Sequence, residues 1–120
     1  MKIKVTISTP PQLSDFLERV LPHFWVLDAE NNAIPTDDVM EWARFIESPQ
    51  RIVASDMIGE VHLSTVFLGF NHGFMGGMLI FETMIFGGKR DREQWRYSTW
   101  KEAQENHYLL LKELKDESES

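Results

Sequence analysis

The chain contains no cysteine. That excludes disulfide staples, thiolate metal sites and cysteine nucleophiles together, and it fits a reducing compartment. A long apolar run is also missing. The longest such stretch, residues 74–86, is broken by Gly76, Gly77, Glu82 and Thr83, whereas a membrane span needs about 20 apolar residues. Lys-Ile-Lys follows Met1, so no secretory signal is expected at the start. Basic residues are the scarcer sign of charge. Twelve Lys and Arg stand against 19 Asp and Glu, leaving a net charge of −7. A surface of that sign disfavours phosphate backbones, so general nucleic-acid binding is not expected.

What is present is enough for one compact domain. The chain has 120 residues, 42% of them hydrophobic, with 8 Phe and 4 Trp to build a core. Residues 2–8, KIKVTIS, alternate apolar and polar and predict a strand; residues 10–21 carry an apolar stripe at helical spacing. HFWVLDAENNAI predicts a hairpin. Pro35 and Thr36 predict the start of a second helix, with Val39, Trp42, Ala43 and Ile46 facing inward and Ser48-Pro49 as its stop. Gly59-Glu60 lies between two extended runs and predicts an antiparallel hairpin. Residues 78–86 predict a buried strand, and WRYS a last short one. Thr99 with Glu102 forms a capping box that opens a C-terminal amphipathic helix reaching about Leu114. The expected fold class is α+β: an antiparallel sheet of about five to six strands with two or three helices packed on it. Residues 1–115 are expected as one domain, with 1–22 a strand-helix addition and 116–120 a disordered acidic tail.

Few residues invite chemistry. Gly69, Gly73, Gly76 and Gly77 match no phosphate-loop pattern, and they lead into a strand instead of a helix. Asn71 and His72 stand at the crest of that loop, available for binding. Glu82 sits mid-strand among apolar neighbours, where a carboxylate needs a partner: Arg96 on the next strand, a histidine or a backbone amide. His107 lies in the apolar stripe of the last helix and reads as a core histidine bonded to a carbonyl or carboxylate. If Glu82 were that carboxylate, the two would form a dyad. His62, His72 and His107 are too widely spaced for a short metal motif, so no metal or cofactor is expected. Arg90, Arg92 and Arg96 alternate with Trp95, Tyr97 and Trp100, a pattern able to stack bases, but Asp91 and Glu93 share the loop.

Three blocks in order, VHLSTVFLGFNHGF, LIFETMIFGG and WRYSTWKEAQENH, resemble a family of small phage and prophage proteins. Members carry S-T-V-F-L-G with an Asp/Asn-His pair, an F-E-T-M strand and an R-Y-S/T-T helix start. The upstream VMEWARFIESPQRIVA also fits, so the resemblance spans about residues 24–111. Asn106 departs from the small residue that often precedes the histidine. The resemblance implies a cytoplasmic protein of a bacterial host and directs attention to Ser64, Thr65, Asn71, His72, Glu82, Arg96 and His107. It supplies no catalytic roles. The expected role is a non-enzymatic accessory protein that binds another macromolecule, with a counter-defence inhibitor as one form. A homodimer is compatible with that role. The alternatives are a small enzyme or ligand-binding module, if His72, Glu82, Arg96 and His107 converge, and a virion structural or assembly protein.

Overall fold

A computed structural model describes residues 24–70 and 78–119. The expected strand at 2–8, the helix at 10–21 and the Asn71-His72 crest lie outside the described residues.

The first unit is a hairpin of β1 (Phe24–Leu27) and β2 (Ala33–Thr36), paired antiparallel with Phe24 opposite Thr36. Its turn is held by the Asp28 carboxylate, which accepts the backbone N–H groups of Glu30 and Asn32, both at 2.9 Å. Asn31 takes a left-handed conformation (φ 64°) that its short polar side chain tolerates. Helix α1 (Val39–Glu47) follows. Pro35 and Thr36 do not begin it, contrary to the sequence expectation; they complete β2. Asp38 is the stronger cap, accepting the N–H groups of Met40 and Glu41 at 3.0 and 3.1 Å. The later start also turns Val39 outward, where it is 51% exposed. A single 3₁₀ turn at Pro49–Arg51 then leads into the main sheet.

That sheet has four antiparallel strands in chain order: β3 (Ile52–Ile58), β4 (Val61–Phe67), β5 (Phe81–Phe86) and β6 (Gln94–Tyr97). Gly59, at φ 61°, makes the tight turn between β3 and β4 as expected. The strand predicted over 78–86 forms regularly only from Phe81. Ile80 nevertheless donates its N–H to the Tyr97 carbonyl at 3.0 Å and accepts from Leu68 at 2.7 Å. The six strands of the described residues therefore divide into a sheet of four and a hairpin of two, tied by the Trp25 N–H to the Gly69 carbonyl at 3.0 Å.

Helix α2 (Trp100–Ser118) covers one face of the main sheet. Thr99 caps it, its hydroxyl oxygen accepting the Glu102 N–H at 3.1 Å. The helix runs on to Ser118, past the Leu114 end that its apolar stripe suggested. Arg90, from the β5–β6 loop, explains the extension: its Nη1 reaches Glu113 and Glu117, each at 3.2 Å, and holds the last turns.

Alternation along the strands sends Leu63, Thr65 and Phe67 of β4, and Phe81, Thr83 and Ile85 of β5, toward α2, all at 0–1% exposure. Ala103, His107, Leu110 and Leu114 meet them from the helix. Trp25, Leu27 and Phe45 close the core at the Phe67 end. Each large apolar side chain buried this way contributes about 1.5–3 kcal/mol.

Candidate functional site

The sheet's two faces carry different polar groups. On the helix-covered face, Thr65 and Thr83 are direct cross-strand neighbours, and their hydroxyls lie 2.6 Å apart. His107 arrives from the middle of the α2 stripe. Its Nδ1 is 2.7 Å from Thr65 Oγ1, and its Nε2 is 2.7 Å from Asp56 Oδ2 on β3. The line continues past Thr83 to the Tyr97 hydroxyl, which also accepts from the Asn106 side-chain amide.

Donors and acceptors along this line match in one direction. With the imidazole proton on Nε2, His107 donates to Asp56, and Nδ1 accepts from Thr65. Thr65 in turn accepts from Thr83, Thr83 from Tyr97, and Tyr97 from Asn106. Every hydroxyl then donates once and accepts once. A buried network satisfied in this way fixes helix to sheet in one register, whereas a half-satisfied one would be costly.

Carboxylate, imidazole and hydroxyl stand in the order used by hydrolytic triads. Access separates this assembly from one. Thr65, Thr83 and His107 are each 0% exposed, and of the Asp56–His107 pair only the Asp56 side chain reaches solvent. Surface clefts of about 500 and 260 Å³ lie elsewhere, one beside Ile58, Val61 and Leu114, the other beside Leu27, Asp28 and Phe45. Neither is lined by any of these polar groups. The assembly holds helix to sheet, with its imidazole and both threonine hydroxyls shielded from solvent. Burial also pushes the Tyr97 phenol above its ordinary pKa, against the opposing effect of the hydrogen bond it accepts from Asn106.

On the other face, Glu82 accepts from Arg96 Nε at 3.0 Å across directly paired strands, one of the three partners the sequence left open. Glu82 alternates with Thr83, so it points away from His107. The structure therefore does not form the Glu82–His107 dyad; Asp56 is the histidine's carboxylate. His62 shares the Glu82 face. Its Nε2 is 2.7 Å from Ser55 Oγ, and its ring stacks on Phe86 with centroids 5.8 Å apart. The expected binding residues are thus dispersed: Glu82 and Arg96 together, His107 on the opposite face, Asn71 and His72 outside the described residues. Asp56, Thr83, Tyr97 and Asn106 are the members that sequence reasoning missed. The signal available was a polar residue at an inward position in each of three neighbouring strands.

Of the basic residues of the β5–β6 region, Arg90 and Arg96 are engaged internally, while Arg92 is 88% exposed beside Asp91. Arg90 pairs with Glu93 at 3.0 Å and lies 5.8 Å over the Trp95 ring, while Arg96 is taken by Glu82. Among the described residues, no three His, Asp or Glu side chains are grouped to hold a metal, and no helix is long and apolar enough to cross a membrane. Comparison with protein-family models, curated proteins and solved structures finds no match for this chain.

Proposed function

We propose that this chain is a non-enzymatic binding protein that docks on a basic surface of a protein partner. The observation that carries the reading is the outer surface of the β1–β2–α1 unit. Helix α1 has no buried residue, and Met40, Val39 and Ile34 are 62, 51 and 42% exposed. Beside them in the chain stand exposed Asp37, Asp38 and Glu41. Between residues 28 and 47 there are six acidic side chains and a single basic one, Arg44. Apolar side chains rimmed by one sign of charge suit protein recognition, and the charge raises the rate of encounter with an oppositely charged partner. The sealing of His107 and Thr65 supports a role that needs no reacting group.

In the setting that the phage-type resemblance implies, the bacterial cytoplasm, the reading takes the form of an accessory protein. It occupies a basic site on a host or phage macromolecule and, if that site is functional, inhibits it. The test is affinity capture from bacterial lysate with the wild-type chain, with Asp37→Lys/Glu41→Lys, and with Glu105→Lys on the exposed side of α2 as control. The expected result is a discrete protein retained by wild type and by the control, released by about 0.5 M salt, which shortens the screening length to a few ångström, and absent with the double reversal. Equal capture by the double reversal, or nothing specific to wild type, contradicts the reading.

A further inference from the structure

The main sheet keeps an open edge. β3 is an outer strand, and among the described residues no strand pairs with its far side. The two-residue turn Gly59-Glu60 fixes which backbone groups this leaves over. Ile58 opposite Val61 closes that turn, and the closing pair of a two-residue hairpin is hydrogen-bonded. Bonded and unbonded pairs then alternate along the ladder. Asp56–Leu63 and Ala54–Thr65 are bonded pairs, whereas Met57–His62 and Ser55–Ser64 are not. The N–H and C=O groups of Ser55 and Met57 therefore point away from β4, to the open edge. Both residues are exposed. Sheet edges are ordinarily blunted by lysine, proline, bulges or shortness. β3 contains neither lysine nor proline, and its one irregularity, between Ile52 and Ala54, leaves residues 54–58 regular. The opposite edge, β6, is only four residues long.

Charge at this edge selects its occupant. The one ionised side chain of β3 is Asp56, which points to the α2 side and is 40% exposed. Its Oδ2 accepts from His107, while Oδ1 has no partner among the described residues. Helix α2 forms a wall beside it. Asn106 reaches Tyr97 on β6, and Glu113 and Glu117 reach Arg90 in the β5–β6 loop, so that flank of the helix faces β6. At about 100° per residue, Tyr108 and Leu111 lie on the opposite flank, toward β3. Tyr108 is exposed and Leu111 half-buried. Lys115 shares this flank but sits about 12 Å beyond His107 along the helix. We infer that the open edge of β3 takes up an extended, basic segment of a protein partner as an added antiparallel strand. Ser55 and Met57 supply the backbone hydrogen bonds. A Lys or Arg opposite Asp56 reaches Oδ1, and apolar side chains on either side of it rest against Tyr108 and Leu111. The β3 strand of a second copy fits poorly, because antiparallel pairing about its centre sets two Asp56 carboxylates together in chains of net charge −7. This edge is separate from the acidic β1–β2–α1 surface, so either site can fail without the other.

Titration of the ¹⁵N-labelled full chain with the end-capped peptide Lys-Val-Thr-Lys-Thr-Val-Lys, to about 2 mM, detects affinities into the millimolar range. The expected result is saturable binding that shifts the amides of β3 and of the Tyr108 flank, not those of α1, and slows hydrogen exchange at the Ser55 and Met57 N–H groups. Methylating the two threonine amides, which face β3 in antiparallel addition, should weaken binding at least about tenfold through two lost hydrogen bonds. Methylating the two valine amides should not. Replacing the central lysine by glutamate should weaken binding comparably. Ser55→Pro removes one edge donor without breaking the ladder to β4, as proline on an edge strand does, and should also weaken binding; a thermal melt checks that it is folded. The methylated peptides carry the test on the wild-type chain whatever that variant does. No saturable binding of the parent peptide, binding indifferent to threonine methylation, or shifts centred on α1 overturns the inference.

Discussion

His107 Nδ1 and Thr65 Oγ1 meet at 2.7 Å, where helix α2 crosses the sheet, with both residues fully shielded from solvent. The contact joins residues 42 positions apart in the chain. It anchors the helix more specifically than apolar contact alone, because only one placement satisfies the imidazole at both nitrogens.

His107→Ala should therefore destabilise the fold by about 3 kcal/mol, through a cavity plus the unpaired Thr65 hydroxyl. Thr65→Val alone should cost about 1–2 kcal/mol. The double variant should fall short of the sum, since both changes disrupt one network. Urea denaturation of the four proteins in the cycle checks this; strict additivity would show that the two groups act independently.

Burial raises the Tyr97 pKa, which fixes a pH dependence. In the unfolded chain the phenol ionises near its ordinary value of about 10, while in the folded chain it stays protonated to higher pH. The unfolded state then binds fewer protons, so stability is full below about pH 10 and falls as pH rises above it. Ultraviolet titration should show a late-ionising phenol that is lost in Tyr97→Phe. A Tyr97→Phe difference titration centred at the ordinary tyrosine value would contradict the burial argument.

Gly69 takes φ +78°, and a Cβ there would lie 2.4 Å from Trp42 Nε1 and 2.7 Å from Ile46 Cδ1. Gly69→Ala should therefore cost about 2–3 kcal/mol, from left-handed strain plus forced movement of the indole. A shifted tryptophan emission with a lowered melting temperature is the expected signature. An unchanged melt would mean that α1 does not press on the β4 end.

Glu82 and Arg96 are a register pair with side chains only 14 and 25% exposed. A double-mutant cycle using Glu82→Gln and Arg96→Met should give a coupling of about 1 kcal/mol, after allowance for partial solvent screening. Partner capture should be unaffected, because the pair lies on the sheet face away from the acidic surface.

How much of this was legible follows from the range of each signal. The Gly59 turn and the Thr99–Glu102 box are local, and both formed where the residues said. Arg96 was readable as one of three partners for Glu82, because neighbouring antiparallel strands limit a carboxylate's reach. His107 could be placed on a buried stripe, but not matched to Asp56. That pairing spans 51 residues and depends on the register of three strands. The α1 start was misplaced because proline suits a first helical turn and a hairpin strand equally; the Asp38 cap decided between them. The extension to Ser118 came from Arg90, a residue outside the helix.

The central claim is that this chain acts through its acidic outer surface, and that its buried imidazole serves architecture. Side-by-side partner capture with Asp37→Lys/Glu41→Lys and with Thr65→Val, both verified as folded, tests it most directly. The account predicts that capture is lost in the first and kept in the second. Capture kept in the first and lost in the second would contradict it.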